Sequence, residues 1–249
     1  MENKDEKWLR EEKYGGEESE AYHTDVLRLR AGEPLAYVIG HIPFLGLSIR
    51  LDSKPLIPRP ETEWWTERLI AHIKERVTQQ SRKTVRVLDL CAGSGAVGLA
   101  ILAQVPEAHV TFAELDDAHA ATIRNNIKAN GLDASRTSIV TGDLFAPLSE
   151  LRFDIIATNP PYIPDTRALD ASVTKYEPHL ALFSGEDGLA LIRRIAHEAP
   201  AHLMPRGELW VEVDSEHAES AQSLVAGSVA NVELIPDQYG RPRLVVGYC

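Results

Sequence analysis

Four consecutive residues, Asn159-Pro160-Pro161-Tyr162, combine groups suited to holding a flat NH2 group. The Asn159 carbonyl can accept one N–H, and the backbone carbonyl of Pro160 can accept the other. Tyr162 offers an aromatic face for stacking on a planar conjugated group. The same residues also suit a proline-rich loop with a solvated Asn, so the surrounding pattern has to decide. They follow Phe153–Thr158, a short apolar run that reads as a buried strand. Pro160 and Pro161 cannot donate to a sheet ladder and would end that strand abruptly. A stiff loop at the carboxyl end of a strand is where open α/β sheets place ligands.

A second set of chemical groups lies upstream. Asp89 precedes Cys91-Ala92-Gly93-Ser94-Gly95 at a strand-to-helix turn. Gly93 and Gly95 permit close approach of the backbone to a ligand. A carboxylate at Asp89 would repel a diphosphate and attract an ammonium. No Lys-Ser or Lys-Thr pair follows the glycines, which excludes a P-loop. Glu114 ends the next strand, the place for a ribose diol contact. Asp143, followed by Leu144, comes after the third strand and can accept from an adenine amino group. Each acid also has a plain structural use: a turn cap at Asp89, an acidic helix start at Glu114, a chain turn at Asp143. Acids after three successive strands, in this order, fit S-adenosylmethionine better than a nicotinamide dinucleotide.

The elements that would position these groups alternate. Strands are expected at 85–90, 109–113, 137–141, 153–158 and 207–213, with helices at 96–104, 116–130, 187–203 and 216–228. Strands at 231–235 and 244–248 have no helix between them and should pair antiparallel. Alternation of this kind predicts an α/β fold with a mostly parallel sheet covered on both faces. Upstream, residues 35–52 read as two strands around His41-Ile42-Pro43. A helix should begin just after Pro60 and run to about Gln80, as a wall or lid over the cofactor or as a helix alone. Residues 22–31 suit a short helix. Residues 1–20 are polar and read as a frayed helix or a disordered tail with no assigned function.

Composition bounds the function class. The chain has 249 residues, 44% hydrophobic and 25% charged, which fits one large globular domain or a domain with an appendage. Its net charge of −11 disfavours non-specific nucleic-acid binding. No apolar run approaches the roughly 18 residues of a membrane span. Cys91 and Cys249 are the only cysteines, which fits a reducing compartment and no disulfide framework. Acids outnumber bases in residues 1–20, the wrong sign for a mitochondrial presequence.

Over about residues 32–249 the chain resembles the release-factor glutamine methyltransferases of the HemK/PrmC type, within the class I S-adenosylmethionine-dependent fold. The resemblance rests on Gly32 to Gly40, Ile57 to Glu63, Asp89 to Gly95, Asn159 to Tyr162, Tyr176-Glu177-Pro178 with Ala181-Leu182, and Asp237 to Arg243. Asn-Pro-Pro-Tyr is shared with adenine-N6 DNA methyltransferases; the Ile57–Glu63 and hairpin segments are more specific to this family. The resemblance implies a Rossmann-like, seven-stranded sheet and methylation of the glutamine amide in a Gly-Gly-Gln motif of a translation release factor. It places the cofactor on Asp89, Cys91, Ala92, Gly93, Ser94, Gly95, Glu114, Asp143, Leu144 and Asn159. It places the substrate amide on Asn159, Pro160, Pro161 and Tyr162, with no metal.

Several positions depart from the family pattern. Asp is usual where Glu114 stands, Gly and Thr where Cys91 and Ala92 stand, and an aromatic at Leu144. Val211-Glu212-Val213-Asp214 is closer to the mitochondrial branch. Bacterial members carry several N-terminal helices, whereas about 30 residues precede the hairpin here. The implied division is a short N-terminal segment (1–33), a β-hairpin linker (34–58) and a methyltransferase domain (59–249). The expected partner is a release factor bound by a monomer without nucleic acid or membrane, in the cytoplasm or the mitochondrial matrix. Two other readings share the chemistry or the fold: a nucleic-acid N6-adenine or guanine-N2 methyltransferase, and a non-catalytic binding partner.

Overall fold

The structure is a computed structural model that describes residues 3–249. Its centre is a seven-stranded sheet of β3 (Val85–Leu90), β4 (Ala108–Glu114), β5 (Thr137–Thr141), β6 (Phe153–Thr158), β7 (Leu203–Glu212), β8 (Asn231–Pro236) and β9 (Pro242–Tyr248). The strand order is β5-β4-β3-β6-β7-β9-β8. Neighbours run parallel except where β9 pairs antiparallel with both β7 and β8. The chain leaves β3 toward β4 on one side and returns as β6 on the other. This places the topological switch point, with its cleft, at the carboxyl ends of β3 and β6. The Thr158 hydroxyl donates to the Leu90 carbonyl at 2.8 Å and joins those two ends.

Strand alternation divides the core into two layers. Val85, Val87, Ile155, Ala157 and Trp210 face one cluster; Leu88, Leu90, Ile156, Leu209 and Val211 face the other. The first is covered by α4 (Pro60–Gln80), α5 (Ala96–Gln104) and α6 (Asp117–Ala129) through Trp65, Leu69, Ile73, Leu99 and Ile123. The second is covered by α8 (Ala190–Glu198) and α9 (Ala218–Ala226) through Ile192, Ile195, Ala221 and Val225. Both sheet faces are therefore dry, as a parallel sheet requires. A short α7 (Ala171–Tyr176) lies in the long connection between β6 and α8.

The structure differs from the sequence reading in three places. Residues 3–20, read as a frayed helix or a disordered tail, contain α1 (Lys4–Tyr14) and the start of α2 (Glu20–Arg30), helical but packed and not frayed. A capping box of Asn3 and Glu6 opens α1, and Ser19 caps α2. The two helices bury Leu9, Tyr22 and Val26 against Val38. Second, Leu35–Ile39 is a helical turn, α3, where a strand was expected. Pro34 sets its entry at φ −56°, and Gly40 closes it in the left-handed region at φ 99°. The hairpin lies further along, as β1 (His41–Phe44) and β2 (Leu47–Arg50) turning at Leu45-Gly46. Third, the expected 187–203 helix is α only over Ala190–Glu198. It tightens into a 3-10 turn at Ala199–His202, where Pro200 removes a backbone donor.

The hairpin is anchored by two amides: Asn130, at the end of α6, accepts from Ser48 N and donates to the Ser48 carbonyl, both at 3.0 Å, and Asn126 reaches further in. Buried Asn126 on α6 accepts from Arg50 N at 2.7 Å and donates to the carbonyls of Arg50 and Ser94 at 3.1 and 3.0 Å. It thus ties the edge of β2 to the glycine loop after β3.

Candidate active site

The glycine loop holds its shape through acids on the strands beside it. Glu114, at the end of β4, accepts from Gly93 N at 2.7 Å through one oxygen. Its other oxygen accepts from Leu115 N and Asp116 N at 2.9 and 3.1 Å. These backbone donors fix the carboxylate at the cleft wall, where its remaining lone pairs can meet a diol. Asp89 lies behind the loop, 2% exposed, and accepts from Gly98 N at 2.9 Å. Because Gly98 is in the first turn of α5, Asp89 supplies the cap that the helix's own Gly95 cannot. Burial pushes the Asp89 carboxyl up to about 8, and neighbouring Glu114 adds to the shift. Burial also pushes the Cys91 thiol up to about 12, which leaves it neutral.

The cleft opens at the carboxyl ends of β3, β4 and β6. Cys91, Gly93, Glu114, Asp143, Leu144, Asn159 and Pro161 line it. Ala92, Ser94 and Gly95 shape the loop without lining the cleft: Gly95 N donates to the Ala92 carbonyl at 2.7 Å. Asp143 faces the cleft mouth and is held by a paired contact to Arg194 at 2.9 and 3.1 Å. Leu56, Leu115, Leu180 and Leu191 add apolar walls that fit a flat base. Together, a fixed carboxylate for a diol, an acid for an exocyclic amine and leucines for a ring make a donor set that fits an adenosyl cofactor.

Asn159 sits at the carboxyl end of β6, on the cleft wall. Its Nδ2 donates to Thr62 Oγ1 on α4 at 3.2 Å. Among the described residues no donor engages Asn159 Oδ1, so that oxygen is an available acceptor. Pro160 is buried beside it. The Tyr162 hydroxyl donates to Glu212 Oε1 at 3.1 Å, and its ring packs against the layer beneath. Burial, with the Glu212 charge beside it, raises the Tyr162 hydroxyl well above its ordinary range, so it stays a donor.

The sequence reading named Glu177 and Glu212 only within longer motifs and gave them, and His119, no role in the site. Glu177 accepts from Ile57 N at 3.1 Å and pairs with Arg59 at 2.6 Å, closing the 176–182 segment onto the Pro58-Arg59-Pro60 turn. Glu212 ends β7 and is 1% exposed, an acid in an apolar run. That misfit was the one signal available. His119 lines the cleft and contacts Ser53 Oγ at 2.7 Å.

Comparison with known proteins agrees with this geometry. A family model described as "Methyltransferase small domain" matches residues 65–176. A release factor glutamine methyltransferase of Streptococcus pneumoniae is 34% identical over 92% of this chain and 80% of its own length. Another, of Deinococcus radiodurans, is 36% identical over 93% of this chain and 82% of its own length. Among solved structures, a methyltransferase from Pyrococcus furiosus aligns with a TM-score of 0.54 at 18% identity, covering 91% of this chain and 96% of that one. A T. thermophilus 16S rRNA N2 methyltransferase, solved with AdoMet and guanosine, aligns with a TM-score of 0.56 at 20% identity, covering 84% of this chain and 49% of that one. At these identities the two structures share the fold.

Proposed function

The chain belongs to the release factor glutamine methyltransferases, and from that premise we propose that it methylates the side-chain amide nitrogen (N5) of the glutamine in a release factor's Gly-Gly-Gln motif. The cofactor is S-adenosyl-L-methionine, which supplies an electrophilic methyl group on a sulfonium when bound. The observation that carries the reading is Asn159, tethered by its NH2 with its carbonyl left as an acceptor beside the cleft.

In this reading Asn159 Oδ1 and the Pro160 carbonyl accept the two N–H bonds of the substrate amide. Two acceptors fix the plane of the NH2 group and turn its nitrogen toward the methyl group. An amide nitrogen is a poor nucleophile because its lone pair is delocalised, so positioning is the main lever; oriented reactants gain up to about 7–11 kcal/mol in model reactions. The same acceptors stabilise positive charge developing on nitrogen as the N–C bond forms and the S–C bond breaks. Pro161 stiffens the loop and Tyr162 packs on the flat amide. The amide then loses one proton to solvent. On the cofactor side we assign Cys91, Ala92, Gly93, Ser94, Gly95, Glu114, Asp143 and Leu144, with Asn159 at the boundary and Asp89 acting from behind the loop as the cap of α5. We divide the chain into a short N-terminal segment (1–33), a hairpin linker (34–58) and a methyltransferase domain (59–249). The reading also has a monomer acting without nucleic acid, where translation terminates: the cytoplasm, or the mitochondrial matrix. The net charge of −11 supports a protein over a nucleic-acid substrate.

The test offers labelled S-adenosylmethionine with a Gly-Gly-Gln release factor and, in parallel, duplex DNA. Label on the glutamine amide is expected, and label on DNA would overturn the substrate assignment. Asn159→Ala should lower turnover at least about 100-fold while cofactor affinity changes little. Near-normal turnover would remove the acceptor role.

A further inference from the structure

One buried carboxylate gathers both ends of the Asn159–Tyr162 loop. Glu212 Oε2 accepts from the Thr62 hydroxyl at 2.7 Å and from Trp65 Nε1 at 2.7 Å. Its Oε1 accepts from the Tyr162 hydroxyl at 3.1 Å. Thr62 and Trp65 are on the first turns of α4, Glu212 ends β7, and Tyr162 follows β6, so three elements converge on one group. Thr62 and Trp65 are themselves buried, at 4% and 0% exposure. Water therefore does not compete for these bonds.

The direction of the chain of bonds matters more than its existence. A threonine hydroxyl has a single proton. Thr62 gives that proton to Glu212, so toward Asn159 it can only accept. The Asn159 amide must then turn its NH2 to Thr62 and its carbonyl away from it. The flipped amide would set Oδ1 against a hydroxyl lone pair, leaving a poorly solvated clash. Burial raises the Glu212 carboxyl, while its three donors pull the other way. With two donors on Oε2, a proton on Glu212 would reside on Oε1, and Oε2 would remain the acceptor for Thr62.

We propose that Glu212, acting through Thr62, is a positioning residue that sets the polarity of the Asn159 amide, so that its carbonyl faces the NH2 group to be methylated. The proposal rests on the acceptor role given to Asn159 above. Without the Thr62 hydroxyl, Asn159 could present either end to the cleft. An NH2 aimed at a substrate NH2 would repel it, so with the tether gone most of the bound substrate would be held unproductively.

Removing Glu212 outright leaves its three donors, Thr62, Trp65 and Tyr162, unpaired and endangers folding, so the test is made at Thr62. Thr62→Val keeps the shape and removes the hydroxyl. Methyl transfer from labelled S-adenosylmethionine to a Gly-Gly-Gln release factor is measured at saturation, with cofactor binding by calorimetry and melting temperature as checks. Thr62→Val should lower kcat about 10- to 100-fold, with cofactor Kd and KM within about threefold. Thr62→Ser, which keeps the proton, should restore kcat to within about threefold. Adding Thr62→Val to Asn159→Ala should cause no further loss, because the relay acts only through that amide. A near-normal kcat for Thr62→Val, an additive loss in the double variant, or a Thr62→Ser as slow as Thr62→Val would each overturn the relay while leaving the Asn159 assignment standing. Normal turnover of Asn159→Ala would overturn both.

Discussion

Asp89 illustrates how a single residue's environment decides its role. A carboxylate before a glycine loop invites the reading of an ammonium contact, yet the side chain turns inward to cap α5 and is 2% exposed. Its carboxyl titrates near 8 in the fold against 3.8 when unperturbed, mainly because burial penalises the charge. Between those values the folded chain binds more protons than the unfolded chain. Asp89's contribution to stability is therefore full below about pH 4 and is lost as pH rises toward 8. Asp89→Asn keeps a carbonyl for Gly98 N and removes the titration. Thermal unfolding of the ligand-free protein at pH 5.5 to 8.5 should show a flatter pH dependence for the variant than for the parent. Equal slopes would mean that Asp89 is ionised throughout. The type and position of this residue were legible in the sequence, but its direction was not, because one carboxylate serves equally as a ligand contact or a helix cap. The role of Glu212 was hidden for a related reason: its three donors come from positions 62, 65 and 162, and no local pattern connects them.

At the scale of elements, the parallel sheet was readable because period-two and helical patterns alternate cleanly from residue 85 onward. The edges were less so. Leu35–Ile39 is apolar at every position, and five such residues carry no period, so only Pro34 and the left-handed Gly40 decide for a helix. The turn between β6 and α8 has a similar hidden determinant. Gly188 adopts φ 74°, and a Cβ there would lie 2.3 Å from the Tyr162 carbonyl and 3.0 Å from Pro164. The turn before α8 therefore clamps the backbone of the Asn159–Tyr162 loop from below. Gly188→Ala must both strain its own backbone and push that loop toward the cleft. The expected result is a loss of about 1–3 kcal/mol in denaturant unfolding together with reduced methyl transfer. Unchanged stability and turnover would show that the loop is not held by this contact.

At the scale of the whole molecule, charge joins the N-terminal helices to the cleft. Glu33 accepts from Arg28 Nε and Nη2, both at 2.9 Å, and from Lys54 Nζ at 2.8 Å. The Lys54 ammonium also lies over the rings of Tyr37 and Tyr176, at 5.7 and 6.0 Å. The Tyr176 hydroxyl donates to the Ala31 carbonyl at 3.0 Å, and the Tyr37 hydroxyl to the Pro55 carbonyl at 2.7 Å. Leu56 follows directly and lines the cleft, as do Pro178, Leu180 and Ala181 beyond Tyr176. Glu33 is thus the hub through which α2 braces two cleft walls. The Arg28 guanidinium, with Lys54, holds its carboxyl down to about 2 against an ordinary 4.5. A lowered acid contributes stability that is present above about pH 4.5 and is lost as pH falls toward 2. Glu33→Gln should therefore lower the melting temperature at pH 7, and the gap to the parent should close as pH falls below about 3. Lys54 is half exposed, so the effect should be modest and should shrink in high salt. Because the hub braces the walls at Leu56 and Ala181, the variant should also bind S-adenosylmethionine several-fold more weakly at low salt. A melting-temperature gap independent of pH would place the contribution of Glu33 in packing and not in charge. An unchanged cofactor affinity would show that the helices dock without shaping the cleft.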